Sequence, residues 1–180
     1  MNSMMIMTMN SMMTNQMITI NYQQQPTGNT CGPACIYMAL RYVLNHPNDL
    51  PFDIDIADTV EGIAEACGTD WIVGTPPDRM QKGMDAVKMK YIEYIHPKRP
   101  FDLLKQVIDT GNIPIIRTIT QGVPHWIIAN GYIGDVFDIL DPWLGVIKYD
   151  IQQLNNIWMP RDYQFFEILV NEDYTGDTTE

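Results

Sequence analysis

The chain has 180 residues, of which 46% are hydrophobic and 18% charged, a composition that fits a globular domain and excludes a disordered protein. That length suits one domain with a substantial buried core. Lys and Arg number 11 against 22 Asp and Glu, and the net charge of -11 argues against binding to nucleic acid or to an anionic membrane.

The two ends of the chain differ in composition from the middle. Residues 1–17 are rich in Met, but Asn, Ser and Thr interrupt the apolar run, and no basic segment precedes it. The run falls short of the roughly 20 apolar residues that a membrane span needs. We predict a disordered leader at 1–17, a single domain at 18–170 and an acidic tail at 171–180.

The first half of the domain has the apolar periodicity of helices, with residues spaced three and four apart. The elements predicted there are a strand at 18–22, a helix that starts at Cys31, helices at 53–67, 76–90 and 100–110, and a strand at 91–95. Gly68 and Gly111 follow two of these helices and are predicted to cap them.

The second half alternates apolar and polar residues in short runs split by Gly, Pro and Asp. The predicted strands are 113–119, 125–132, 136–140, 145–149 and 163–170, with a helix at 150–158. We expect these to be successive strands of one antiparallel sheet. Helices followed by a sheet predict a segregated α+β domain.

Cysteine usage favours a reducing compartment, and we expect the protein to be cytoplasmic. The three cysteines, Cys31, Cys35 and Cys67, are an odd number and do not suggest a disulfide framework. Three residues separate Cys31 from Cys35, and no second Cys or His pair lies nearby, so neither zinc nor a cofactor is expected. Cys35 and Cys67 fall on apolar helical faces and are predicted to be core residues.

Cys31 is a candidate nucleophile because it opens a helix. Pro33 in the first turn supports this start, since a proline there gives up no hydrogen bond. The partial positive charge of a helix N-terminus favours a thiolate over a thiol. A thiolate also needs a base, and the chain offers Gln25, His125 and Asp141 as an amide, an imidazole and a carboxylate that could serve the same site.

The pattern formed by Gln25, Cys31-Gly-Pro-Ala-Cys35, His125-Trp126 and Asp141-Pro142 resembles the papain-like cysteine peptidases of the C39 and C39-like group. The resemblance runs from about Gln25 to Val170 and implies a papain-like fold, in which a helical N-terminal half packs on a C-terminal antiparallel sheet. It implies Cys31 as nucleophile, His125 as base, Asp141 as the group that orients the imidazole, and Gln25 as oxyanion donor. Transporter-linked members commonly have Asp before the cysteine, where this chain has Thr30.

The chemistry is consistent with these roles. His125 would take the Cys31 proton, and Asp141 would accept a hydrogen bond from the far ring nitrogen. Neighbouring strands lie about 4.8 Å apart, so two adjacent strands could bring these two side chains together. Asp141 could instead simply initiate a turn with Pro142. Trp126 and Trp143 are predicted to pack around the imidazole.

We predict a cysteine peptidase that cleaves a peptide or isopeptide bond of a peptide or protein substrate through an acyl-enzyme at Cys31. Two alternatives remain on the same fold: a glutamine deamidase or transglutaminase-like acyl-transfer enzyme, and a binding module without catalysis. The sequence specifies neither a cleavage motif nor an oligomeric state.

Overall fold

The computed structural model describes residues 16–44 and 58–170. In chain order the elements are β1 (Gln16–Met17), α1 (Cys31–Leu44), α2 (Val60–Cys67), α3 (Pro77–Ala86), β2 (Tyr91–Tyr94), α4 (Pro100–Asp109), β3 (Ile113–Thr120), β4 (Val123–Ile133), β5 (Val136–Asp141), β6 (Gly145–Asp150), α5 (Ile151–Trp158), a 3-10 turn (Met159–Arg161) and β7 (Phe165–Ile168). The predicted α+β class is confirmed.

The strands form one sheet in the order β2-β7-β3-β4-β5-β6, and every pairing is antiparallel. Successive strands are neighbours from β3 to β6, as predicted. The last strand, β7, instead inserts between β2 and β3. The β3 to β4 register places Arg117 opposite Trp126 and Thr118 opposite His125.

The predicted strand at 18–22 is shifted, because the ladder with β4 covers only Gln16 and Met17. The register of β4 shifts between Ala129 and Gly131, where a bulge changes the pairing. Asn130 lies in this bulge and binds Ile18 with both its main chain and its side chain: the Ile18 N–H donates to the Asn130 carbonyl at 2.6 Å, and Asn130 Nδ2 donates to the Ile18 carbonyl at 3.1 Å. The rest of the predicted leader, residues 1–15, and the tail at 171–180 lie outside the described residues.

A helix cap and two residues with left-handed φ angles move three other predicted boundaries. Helix α2 begins at Val60 because the Thr59 side chain accepts from Gly62 N and caps it; residues 53–57 of the prediction lie outside the described residues. Helix α3 ends at Ala86, before Lys88 adopts a left-handed φ of 55°. A φ of 53° at Tyr163 likewise prevents a strand from starting there, and β7 begins at Phe165.

Helix α1 is the central helix of the core and lies against β4 and α2. Its first turn approaches α3 and the sheet closely at Gly32, where an added Cβ would lie 2.5 Å from Met80 Sδ of α3 and 3.2 Å from Trp126 Cδ1 of β4. Only glycine fits this contact without displacing a neighbour. The contact places the adjacent Cys31 at the junction of the helices and the sheet. Within the described ranges, no helix combines the length and hydropathy required to cross a bilayer.

Candidate active site

Cys31 is the first residue of α1 and is 6% exposed. Thr30 before it closes a tight turn, in which the Thr30 hydroxyl accepts from Thr27 N at 3.2 Å and donates to the Thr27 carbonyl at 3.0 Å. The Thr30 carbonyl accepts the first helical bond from Ala34 N. Thr30 therefore orders the loop that precedes the thiol. No acidic residue occupies the first turn, so the helix N-terminus can stabilise a thiolate.

His125 and Asp141 are joined by a buried hydrogen bond of 2.7 Å between Nε2 and Oδ1. They are 3% and 0% exposed, and they come from the adjacent strands β4 and β5. The same Asp141 oxygen accepts from Trp143 N at 2.8 Å and Leu144 N at 3.0 Å. The carboxylate thus initiates the turn and also binds the imidazole, so the two interpretations of Asp141 are compatible.

The ionisation of this pair follows from its contacts. Burial lowers the pKa of His125, but hydrogen bonds with Asp141 and Cys31, and the charges of both partners, outweigh it and raise the pKa to about 9. Burial acts to raise the pKa of Asp141, but His125 and the two main-chain N–H groups hold it below its ordinary value. Because Nε2 is occupied by Asp141, Nδ1 is the ring nitrogen that remains for the thiol. Asp141 and Cys31 therefore both favour the charged form of the imidazole.

Gln25 is anchored next to Asp141 through its main chain, whose N–H donates to the Pro142 carbonyl at 2.9 Å. Its side-chain Nε2 donates to the Thr27 carbonyl at 2.7 Å. An amide nitrogen carries two hydrogens, so one remains for an incoming oxygen. Tyr22 lies just before Gln25, and its hydroxyl donates to the Asp141 carbonyl at 2.9 Å.

Two arms of a cleft meet at His125. One arm, of about 580 Å³, is bordered by Cys31, Trp126 and the loop from Trp71 to Pro76. The other, of about 490 Å³, is bordered by Gln24 to Gly28 and Trp143. An extended chain could therefore pass over the thiol with residues on both sides of it.

The two tryptophans differ in what they contact. Trp143 packs edge-on against the imidazole, with ring centroids 6.0 Å apart, as predicted. Trp126 instead stacks on Phe166 at 5.6 Å, and its Nε1 donates to the Thr75 carbonyl at 2.8 Å. It therefore joins the sheet to the cleft loop instead of covering the imidazole.

Sequence reasoning missed two groups of cleft residues. The loop residues Trp71, Ile72 and Val73 are 82%, 95% and 62% exposed, and their turn is closed by two backbone hydrogen bonds between Asp70 and Gly74. Arg117 and Arg161 line the same arm. A charged residue inside the apolar run 113–119 was the available signal for Arg117; no pattern marked Arg161. Across residues 16–44 and 58–170, no three His, Cys, Asp or Glu side chains are grouped as metal ligands.

Known structures share this fold. A double glycine motif protease from an AMS/PCAT transporter, solved with its leader peptide, is 18% identical with a TM-score of 0.62, over 85% of this chain and 94% of that one. The peptidase domain of Streptococcus ComA is 12% identical with a TM-score of 0.62, over 84% and 97%. A protein from Bacillus anthracis described as a C39-like peptidase is 12% identical with a TM-score of 0.63, over 87% and 98%.

Comparison with curated proteins finds no match by sequence. A family model does match, over residues 17–165, and covers the helical half, the cleft and nearly all of the sheet. The predicted resemblance is therefore confirmed at the level of family and fold, and the chain belongs to the Peptidase_C39 like family.

Proposed function

We propose that the protein is a cysteine peptidase that hydrolyses a peptide bond through an acyl-enzyme at Cys31. The observation that carries this proposal is the buried hydrogen bond between His125 and Asp141 in a cleft whose larger arm is lined by both His125 and Cys31. A core cysteine would need neither a charged imidazole nor an open cleft beside it.

In the proposed reaction, His125 accepts the thiol proton at Nδ1, and the thiolate attacks the substrate carbonyl carbon. The negative oxygen that forms would be bound by Gln25 Nε2 and the Cys31 main-chain N–H, and each such donor contributes about 3 to 4 kcal/mol. The imidazolium then protonates the leaving amine, and the C–N bond breaks to give a thioester. Water, deprotonated by His125, attacks the thioester and releases the acid and the thiol.

Asp141 supports His125 throughout the proposed reaction. Its hydrogen bond to Nε2 fixes the imidazole orientation, and its negative charge stabilises the imidazolium formed in the first step. The main-chain N–H groups of Trp143 and Leu144 donate to the carboxylate and hold it in place.

A peptide substrate is supported by the two arms, and by the double glycine motif protease, which was solved with a leader peptide. A bound peptide would run between the loop from Trp71 to Pro76 and the start of β4. The nucleophile acts only while its thiol is reduced, so we also propose that the protein works in a reducing compartment such as the cytoplasm.

The test is peptide mapping with active and inactive protein. A peptide library prepared from a whole proteome is incubated with the wild type, with Cys31→Ala and with the matched control Cys35→Ala, which removes a buried thiol one helical turn away. We expect new amino termini with the wild type and Cys35→Ala, and none with Cys31→Ala.

Ammonia release without new amino termini would show that the protein is a deamidase or an acyl-transfer enzyme and not a peptidase. Equal peptide profiles with the wild type and Cys31→Ala, together with retention of intact peptides, would indicate a binding module.

A further inference from the structure

Two arginines line the larger arm of the cleft. Arg117 comes from the middle of β3, and Arg161 from the 3-10 turn before β7. The chain has 11 Lys and Arg against 22 Asp and Glu, so two arginines in one arm form a local concentration of positive charge in an acidic protein. Among the described residues, neither arginine forms a salt bridge with a carboxylate.

Arg117 is held by a neutral partner. Its Nη1 donates to Gln164 Oε1 at 2.8 Å, and its main-chain N–H donates to the Gln164 carbonyl at 3.1 Å. The Gln164 amide nitrogen donates to Glu93 at 2.6 Å, and the other Glu93 oxygen accepts from Gln81 at 2.8 Å. Both oxygens of the nearby carboxylate are thus bound by amides, and Gln164 stands between Glu93 and the guanidinium.

Arg161 is less completely bound. Its carbonyl accepts from Gln164 N at 2.9 Å, which fixes the main chain, but its Nε is buried without a hydrogen-bond partner. Burial and the charge of Arg161 lower the pKa of Arg117, while Asp162 and Glu93 act in the opposite direction. The two positive charges in this arm repel each other, and a bound anion would offset that repulsion.

We propose that Arg117 and Arg161 together bind a carboxylate of the substrate, which makes the larger arm selective for an acidic peptide. This inference rests on the proposed peptidase function. A planar guanidinium donates parallel hydrogen bonds that match a carboxylate, and two of them can satisfy both of its oxygens. The carboxylate can be an Asp or Glu side chain or the C-terminus of the peptide.

The exposed apolar loop at 71–73 would strengthen this recognition. It borders the same arm, and a peptide seated against Trp71 and Ile72 would exclude water from the arginines. Charge pairs are stronger where water is excluded. The acidic residue would therefore be bound best when an apolar residue lies near it.

The test measures the alkylation rate of Cys31 by peptides that carry an iodoacetyl group on an amine at one end, either the amino terminus or the side chain of a C-terminal lysine. The terminal carboxyl group stays available in both sets. Spacers of zero to three glycines separate this group from Glu or from the isosteric Gln, and each peptide is made with a free or an amidated C-terminus. We expect one spacer at which the wild type reacts about tenfold faster or more with the acidic member, a preference that falls as salt is added. The amidated set shows whether a side chain or a terminal carboxylate is bound.

The variants Arg117→Gln and Arg161→Gln should each bring the ratio of rates for Glu and Gln peptides close to one. Arg161→Gln is the more direct, since the structure gives its side chain no hydrogen bond to lose at Nε. The matched control is Arg41→Gln, which removes the same charge from a residue paired with Asp58 at the far end of α1. This control should keep the wild-type preference.

Calorimetric binding of the same peptides without the iodoacetyl group to Cys31→Ala protein gives the preference independently of the thiol. Equal binding of Glu and Gln peptides, or a preference that survives in both arginine variants, overturns the carboxylate site. If Cys31 reacts with every peptide at the same rate, the carboxylate site fails and the nucleophile stands. If Cys31 reacts with none while Glu peptides still bind better, the proposed peptidase fails and the carboxylate site stands.

Discussion

His125 sets the pH dependence of the site, because its pKa rises from 6.5 to about 9 on folding. A pKa raised in the folded state stabilises the protein fully below about pH 6.5, and this contribution is lost as the pH rises to about 9. At about 1.4 kcal/mol per pH unit, we expect the loss to be on the order of 3 kcal/mol. Urea unfolding of the wild type and of His125→Gln across this range measures it. Parallel stability profiles would show that the imidazole is not held in its charged form.

Asp141→Asn separates the charge of the carboxylate from its geometry. The amide oxygen can still accept from Trp143 and Leu144, so the turn should persist, but the negative charge that supports the imidazolium is gone. We expect the pKa of His125 to fall and turnover to drop by about a hundredfold or more. NMR titration of the imidazole and steady-state kinetics measure the two effects. An unchanged His125 titration would assign Asp141 to the turn alone.

At the level of residues, the sequence marked the side chains whose chemistry is unusual and missed those defined by their neighbours. Cys31 was singled out by its place at a helix start and by the motif around it, and His125-Trp126 and Asp141-Pro142 by the same resemblance; consecutive strands made a contact between His125 and Asp141 plausible. The presence of Arg117 and Arg161 in one arm depends on β7 inserting beside β3, which brings Gln164 and the preceding turn against Arg117. No local pattern encodes that contact.

Helix α1 places its sulfur through the close contact at Gly32. In Gly32→Ala, the new methyl group would overlap Met80 Sδ and press on Trp126, so either the fully buried Met80 side chain or the first turn of α1 must shift. We expect a loss of about 1 to 3 kcal/mol in unfolding free energy and a slower reaction at Cys31. Gly28→Ala is the matched control for stability, because nothing lies within 4 Å of its Cβ. Urea unfolding and the iodoacetamide reaction rate measure the two effects, and equal values in both variants would remove Gly32 from this role.

Periodicity located the helices and strands of the described residues well, and their ends less well. The predicted helix at 150–158 appears as α5 with Asp150 as its cap, because Asp150 and Gln153 bind each other's main chain. The predicted end of α3 was too late. The left-handed turn at Lys88 depends on a hydrogen bond from Met89 N to the Met84 carbonyl, and no residue type in the sequence indicates this bond.

At the scale of the whole molecule, the three cysteines should differ in reactivity. Cys35 and Cys67 are fully buried; burial raises the pKa of Cys35 well above its ordinary value and that of Cys67 to about 12. We expect iodoacetamide at about pH 8 to modify Cys31 alone in the folded protein and all three in denaturant. Mass spectrometry of intact and digested protein measures this. Native labelling of Cys35 or Cys67 would mean that the core opens without global unfolding.

The overall architecture was predictable because a helical half followed by a strand-rich half permits few arrangements, and the motif around Cys31 selected one of them. The strand order was not predictable. Placing β7 between β2 and β3 depends on long-range pairing, and the apolar pattern of 163–170 fits an edge or a central position equally well.

The segment from Ile18 to Gln25, which precedes the nucleophile, is bound at both of its ends to the hairpin of β4 and β5 that carries His125 and Asp141. Ile18 is bound to Asn130 at one end, and Tyr22 and Gln25 are bound to the Asp141-Pro142 turn at the other. A single cut in the backbone between Tyr22 and Gln25 would delete none of the reactive groups. It would nevertheless place Gln25 near a new chain end, where its own hydrogen bonds to Pro142 and Thr27 alone would position the amide, so a stretch of backbone with no reactive group supports the chemistry of the cleft.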